Sequence, residues 1–289
     1  MKKLTLFAFI AFSAMLFSCS SSSDSSSSTD SQEYFTYTVG GVEKTITAWE
    51  AYRTEDSFEV MGTNPDGTSM YFDFDVHGNL VRASNTPANS SSDPWLNSFM
   101  YYSSHYFNFE IVGIDEGNKM IKVNYSGNLY EEEYDLSSNA TAVSGTFNIH
   151  YTETPPNVAG MGFNAKIGSD NWYGVSSGES IYGFTDAHIW QYSGDENRFD
   201  LNLNENNIAT GTFNFTPAST ENRVGFAKFN TTTEDFTEYN TTGTLHITAI
   251  QDINFSSAKV ITGTFTLTAV NGGNTIQVTN GSFKTVYTP

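Results

Sequence analysis

Cysteine is the rarest residue of this chain, and basic residues are few relative to acidic ones. Its one cysteine, Cys19, stands near the start, so no internal disulfide is expected. Lysine and arginine together number 13 against 32 aspartates and glutamates, which gives a formal net charge of −19. Because an acidic surface repels phosphate backbones, nucleic acid is not expected as a partner.

Helical periodicity is also missing after the N-terminal leader, and two-residue alternation takes its place. Near the C-terminus, Leu245, Ile247 and Ala249 alternate with threonines and a histidine, and Phe265, Leu267 and Ala269 repeat the pattern. Alternation with a period of two is typical of a strand with one buried and one wet face. The segment 271–274, Asn-Gly-Gly-Asn, predicts a tight turn between strands.

Composition favours the same fold class along the rest of the chain. Hydrophobic residues make up 38% and aromatic residues 15%, enough for a core, and aromatic residues favour strands. Many short alternating runs are separated by Gly/Asn turn signals, such as those at 64–67, 77–79 and 115–118. We therefore predict an all-β protein with two antiparallel β-sandwich or open-barrel domains and meander connections.

The N-terminus has the pattern of an export signal. Lys2 and Lys3 precede a short apolar stretch, residues 4–16, which is too short to span a bilayer. The following Leu16-Phe-Ser-Cys19 resembles the bacterial lipoprotein box. The resemblance implies a signal peptide at 1–18, a lipid on Cys19, and a membrane partner through that lipid. The alternative is an ordinary secretory signal with a chance cysteine.

The segment after the cysteine consists almost entirely of Ser, Asp and Thr. Residues 19–32 cannot bury apolar area, so we expect a disordered tether. By resemblance to other bacterial lipoproteins, Ser20 implies delivery to the outer membrane of the cell envelope. These residues leave open which leaflet the protein faces.

The remainder of the chain looks like a divergent tandem repeat. A first β domain is predicted at 33–153, a linker at 154–159 and a second β domain at 160–289. Gly127 and Gly145 of the first copy match Gly243 and Gly263 of the second at similar spacing. The alternative is convergent strand chemistry in a chain rich in Thr, Phe and Gly.

Residues 160–287 resemble an uncharacterised domain family found in lipoproteins of Bacteroidota, especially flavobacteria. The pattern of this family matches at residues 243–248 (Gly-Thr-Leu-His-Ile-Thr), 263–269 (Gly-Thr-Phe-Thr-Leu-Thr-Ala) and 281–283 (Gly-Ser-Phe), as well as at Phe163-Asn-Ala and Trp172. The first copy keeps Gly145-Thr-Phe147 but shows no evident third Gly-x-Phe strand. The resemblance implies fold and compartment only, because the family carries no established activity.

We predict no catalytic residue, metal site or cofactor. The string Gly174-Val-Ser-Ser-Gly178 matches a nucleophile elbow, but no helix is expected after it. None of the five histidines stands at ligand spacing to another. The acidic runs at 131–133 and 195–196 lack the calcium-loop pattern and are interpreted as solvated faces.

The segment from Trp95 to Phe109 is unusually aromatic. As a strand it would direct Phe107 and Phe109 to the core and leave Tyr102 and Tyr106 on the opposite face. Exposed aromatic rings stack on sugars or accept apolar ligands. The candidate ligand-binding residues are Trp95, Tyr101, Tyr102 and Tyr106. Alternatives are a central strand covered on both faces and an aromatic dimer contact.

The sequence therefore predicts a lipid-anchored cell-envelope protein that binds a glycan or an apolar small molecule without catalysis. A structural or protein-interaction module of an envelope complex is the alternative, with a hydrolase using acidic residues as a third. An enclosed cavity would indicate carriage of a ligand, whereas a packed interior would indicate recognition at the surface.

Overall fold

The computed structural model describes residues 32–88, 92–175, 188–204, 208–253 and 258–287. The leader, Cys19 and the predicted tether (19–32), except residue 32, lie outside this part of the chain. All strands given below belong to one compact unit, Glu33–Pro289. Within the described ranges, no helix is long and apolar enough to cross a membrane.

The first sheet is built from the strands up to Glu153. They are β1 (Tyr34–Val39), β2 (Val42–Thr45), β3 (Ala48–Thr54), β4 (Ser57–Thr63), β5 (Ser69–Asp75), β6 (Leu80–Thr86), β7 (Leu96–Asn97), β8 (Phe107–Asp115), β9 (Met120–Tyr130), β10 (Ala140–His150) and β11 (Thr152–Glu153). Their order is β11-β3-β4-β5-β6-β7-β9-β10-β1-β2, and β8 pairs with β9. All the pairs are antiparallel except β11 with β3.

The second sheet follows a shorter version of the same plan. Its strands are β12 (Gly162–Ile167), β13 (Asp170–Tyr173), β14 (His188–Tyr192), β15 (Asn197–Asn202), β16 (Gly211–Phe215), β17 (Arg223–Asn230), β18 (Asp235–Asp252), β19 (Lys259–Asn271) and β20 (Asn274–Tyr287). Their order is β13-β12-β20-β19-β18-β17-β15-β14, and β16 pairs with β18. The predicted all-β class with two curled, mainly antiparallel sheets is confirmed.

The alternating runs form strands with the predicted faces. Leu245, Ile247, Phe265 and Leu267 are buried, and His246 is exposed. The pairing of β18 with β19 shifts between Ile247 and Ala249, and Ala249 is half-buried. A bulge inserts one extra residue on one strand and so ends the simple alternation of faces.

Phenylalanine and tyrosine rings fill the inside of each curled sheet. In the first sheet the Phe72 ring lies 4.5 Å from Tyr125 and 5.6 Å from Phe147, centroid to centroid. In the second, the Phe163 ring lies 5.1 Å from Phe265 and 5.5 Å from Phe199. These separations are those of packed aromatic pairs, so the rings themselves occupy the interior where they meet.

Each sheet has a seam in which its first strand pairs with its last long strand. Phe35 of β1 lies opposite Phe147 of β10, and Phe163 of β12 lies opposite Phe283 of β20. By this topology, Gly145-Thr-Phe147 corresponds to the Gly281-Ser-Phe283 strand. The glycine alignment made from the sequence stays a prediction, because Gly127 lies opposite Phe107 and Gly243 lies opposite Phe215 in the same way.

The corresponding glycines of the seam have the same packing role. A Cβ on Gly145 would lie 2.5 Å from the hydroxyl of Tyr125, and one on Gly281 would lie 2.6 Å from the Phe265 ring. Each aromatic residue faces its glycine across neighbouring strands. The ring occupies the space that the missing side chain leaves, so the likeness of the two sheets extends to individual contacts.

Candidate functional site

A surface cleft of about 550 Å³ lies where the segment after β7 meets the second sheet. Its aromatic lining is Tyr102, His105, Phe229 and Tyr239, and its polar lining includes Asn230, Thr237, Asn271 and Asn274. Glu196 and Lys228 supply the charged groups. We call it the Tyr102 cleft.

Tyr102 enters this cleft because the chain turns sharply at that residue. It has left-handed backbone angles, φ 49° and ψ 48°, and precedes the one-turn helix α1 (Ser103–Tyr106). Within the described residues α1 is the helix that interrupts the aromatic segment, so the expectation of a continuous strand through Tyr102 and Tyr106 is wrong. The Ser103 hydroxyl donates to the Leu80 carbonyl at 2.9 Å and fixes the turn on β6.

Tyr101 and Tyr106, two other candidates, lie in an aromatic cluster that joins the sheets. Phe99 and Tyr130 from the first half and Phe229 from the second form its buried centre, and Tyr101, Tyr102, Tyr106, Leu136 and Phe236 surround them. The Tyr101 ring is 5.1 Å from Phe236 and 5.3 Å from Tyr192. We call this set the joint cluster. Much of the aromatic segment therefore packs against residues of the second sheet.

Trp95 is separate from these tyrosines. It precedes β7, is 65% exposed, and does not belong to the joint cluster. Of the four candidates, the structure therefore brings Tyr102 to the cleft and places Tyr101 and Tyr106 beside it in the joint. Ligand binding by all four stays a prediction.

The charges of the Tyr102 cleft neutralise one another. The Lys228 Nζ atom lies 2.6 Å from Glu196 Oε1. Burial works to raise the pKa of Glu196, but the hydrogen bond and charge of Lys228 hold that pKa below its ordinary value. Burial, with the nearby charges of Glu196 and Asp195, raises the pKa of Tyr102, so its phenol stays protonated at neutral pH and can donate a hydrogen bond.

This arrangement is suited to binding an uncharged polar ligand with an apolar face. Tyrosine rings offer flat apolar surfaces, and the amides of Asn230 and Asn274 offer both donors and acceptors. Asn271 is held by a hydrogen bond from its Nδ2 to the Glu238 carbonyl at 3.1 Å. Sugar rings combine an apolar face with a rim of hydroxyl groups, which matches these groups.

The residues of the other sequence motifs are bonded to or packed against neighbouring side chains, or they lie outside the described residues. The Asp195 carboxylate accepts hydrogen bonds from Trp172 Nε1 at 3.0 Å and from the Asn197 backbone at 2.9 Å. His77 stacks on Tyr173 with ring centroids 3.5 Å apart. Ser176 of the elbow string lies outside the described residues. Among the described residues, no group of three or more His, Cys, Asp and Glu side chains could hold a metal ion.

Two further polar features were not found from the sequence. A second cleft of about 410 Å³ is lined by Trp49, Tyr52, Glu33, Glu50 and His150 among others. An ion cluster lies beside the joint: Arg198 pairs with the buried Asp200 at 3.0 Å and with the exposed Glu238. The Arg198 guanidinium also lies 4.4 Å from the Phe236 ring centroid. Strand alternation in the sequence gives no signal that these residues converge.

Comparison of the chain with protein-family models, with curated proteins and with solved structures found no match. The resemblance of residues 160–287 to a family of Bacteroidota lipoproteins thus stays a prediction.

Proposed function

We propose that this chain is a lipid-anchored protein of the bacterial outer membrane that binds glycans without catalysis, at the Tyr102 cleft. The observation that carries the proposal is the meeting of tyrosine rings and asparagine amides in one open cleft of about 550 Å³. Small-molecule sites of this kind span about 300–1,000 Å³ and combine apolar surface with a few placed polar groups.

The filled interiors favour a glycan over an apolar small molecule. Phe72, Phe74 and Phe147 are 0% exposed in the first sheet, and Phe199 and Phe226 are 0% exposed in the second. An apolar ligand carried inside either sheet would have to displace such rings, with loss of their packing contacts. Recognition at the surface needs no such displacement.

Replacing Tyr102 by alanine is expected to weaken glycan binding about tenfold, equal to about 1.4 kcal/mol, because the stacking surface is lost. Binding is measured by isothermal titration calorimetry with cellobiose, diacetylchitobiose and digalacturonate, after a glycan array has ranked longer chains. Tyr52→Ala is the matched control, since Tyr52 is 41% exposed and lines the other cleft.

The two tyrosine variants also locate the site. A loss of binding in Tyr52→Ala alone would move the glycan site to the second cleft. An intact wild-type protein that binds no member of the array would contradict the proposed function. A specific protein cross-linked in cells would then support the interaction-module alternative.

Replacing Cys19 by alanine is expected to move most of the protein from the membrane fraction to the soluble fraction. The reason is that lipid attachment, inferred from the lipoprotein-box resemblance, needs the cysteine thiol. Cell fractionation with labelled palmitate incorporation checks both outcomes, with Ser18→Ala as a control that keeps a small residue before the cysteine. Unchanged membrane partitioning and no palmitate label in the wild type would rule out the anchor.

A further inference from the structure

The side chain of Asn79, in the turn after β5, connects the first sheet to the turn after β14. Its Nδ2 donates to Asp75 Oδ2 at 2.7 Å, and its backbone N donates to Asp75 Oδ1 at 2.9 Å. Because an amide group is planar, these bonds fix the direction of Oδ1 as well. Asn79 Oδ1 accepts from the Ser193 hydroxyl at 3.2 Å and from the Gly194 backbone at 3.3 Å.

A hydrogen bond links Gly194 to the segment that carries Tyr102. The carbonyl of Gly194 accepts a hydrogen bond from the Ser104 backbone at 2.9 Å. Tyr102 has φ 49°, a left-handed backbone conformation that is strained for a bulky residue. Such a conformation persists only where neighbouring contacts fix it, and the bond to Gly194 is one of those contacts.

The same turn supplies the opposite wall of the cleft. Glu196 follows Gly194 closely and holds Lys228 at 2.6 Å. Asp195, which lies between Gly194 and Glu196 in the sequence, accepts a hydrogen bond from Trp172 Nε1 at 3.0 Å and another from Asn197 Nδ2 at 2.6 Å. A turn held in this way moves as a unit, so a shift at Gly194 would displace Glu196 together with Tyr102.

We propose that Asn79 is a positioning residue for the Tyr102 cleft: its side chain bonds Asp75, Ser193 and Gly194, which do not line the cleft, and sets the geometry of both walls through Gly194. The effect of Asn79 on ligand affinity rests on the proposed function. Its effect on Ser104 can be measured without any ligand.

Asn79→Ala is expected to raise the hydrogen-exchange rate of the Ser104 amide about tenfold, because its acceptor, the carbonyl of Gly194, is released. Affinity for the best disaccharide of the panel is expected to fall about fivefold. Asn118→Ala is the matched control: Asn118 Nδ2 donates to Asp115 Oδ2 at 2.8 Å in a similar turn, and neither quantity is expected to change.

A double-mutant cycle separates positioning from general destabilisation. Because Asn79 acts on Tyr102 as well as on the opposite wall, Asn79→Ala should lower affinity less in a Tyr102→Ala background than in the wild type. Gly194→Ala tests the same link should Asn79→Ala fail to fold, since its Cβ would lie 3.0 Å from Asn79 Oδ1. Unchanged exchange at Ser104 in the folded variants would overturn the inference. Absence of disaccharide binding in the wild type would instead count against the proposed function.

Discussion

Replacing Phe72 by alanine is expected to lower the free energy of unfolding by about 3–5 kcal/mol. Phe72 is 0% exposed, and its ring contacts those of Phe35, Phe109, Tyr125 and Phe147 at centroid distances of 4.5–6.3 Å. These rings come from four different strands, so collapse around the cavity would have to move several strands together. The full cost of the cavity is therefore expected.

Urea unfolding followed by fluorescence and circular dichroism measures this effect. Since domains are stable by about 5–15 kcal/mol, the variant should unfold at a clearly lower urea concentration. Trp95→Ala is the control, because it also removes a large aromatic side chain but from a residue that is 65% exposed. A loss below about 1 kcal/mol in Phe72→Ala would show that the interior is loosely packed.

Replacing Phe229 by alanine is expected to uncouple the two sheets. Phe229 is 5% exposed, and its ring lies 5.8 Å from Phe99 and 5.9 Å from Tyr101 of the first half. A buried Phe→Ala change costs about 3–5 kcal/mol, and here the loss falls on the joint cluster. One cooperative unfolding transition should then divide into two.

The measurement compares transitions seen by different probes in the same urea series. Phe215→Ala is the matched control, because Phe215 is 2% exposed and belongs to the core of the second sheet. It should destabilise that sheet without the same loss at the joint. If Phe229→Ala unfolds in one transition with an unchanged dependence on urea, the joint cluster does not control the coupling.

The sequence predicted the strands well because alternation of faces is a local property. The buried positions Leu245 and Ile247 could be assigned without knowing their neighbours. The bulge at Thr248 could not, because it arises from pairing with β19. The likeness of Gly145 to Gly281 was missed for the same reason: it depends on their cross-strand partners Tyr125 and Phe265, which the string Gly-Thr-Phe does not encode.

The candidate site was predicted only in part. The aromatic segment was correctly recognised as unusual, yet its division between a cleft and a joint depends on Phe229 and Phe236, which lie far along the chain. The turn at His77-Gly-Asn79 was predicted from its composition. The hydrogen bond from Ser193 to Asn79 was not predicted, since a bond between distant turns leaves no periodic signal in either turn.

The seam of each sheet has a consequence for the order in which the two halves fold. The first strand of each half pairs with its last long strand, β1 with β10 and β12 with β20. Joining such distant segments requires closure of a long loop, which slows folding. During synthesis, Gly162–Ile167 can pair with β20 only after residues 274–287 have been made, whereas the N-terminal half can be completed earlier. A nascent chain stalled before residue 274 would thus contain one finished half and one with an open edge that invites aggregation.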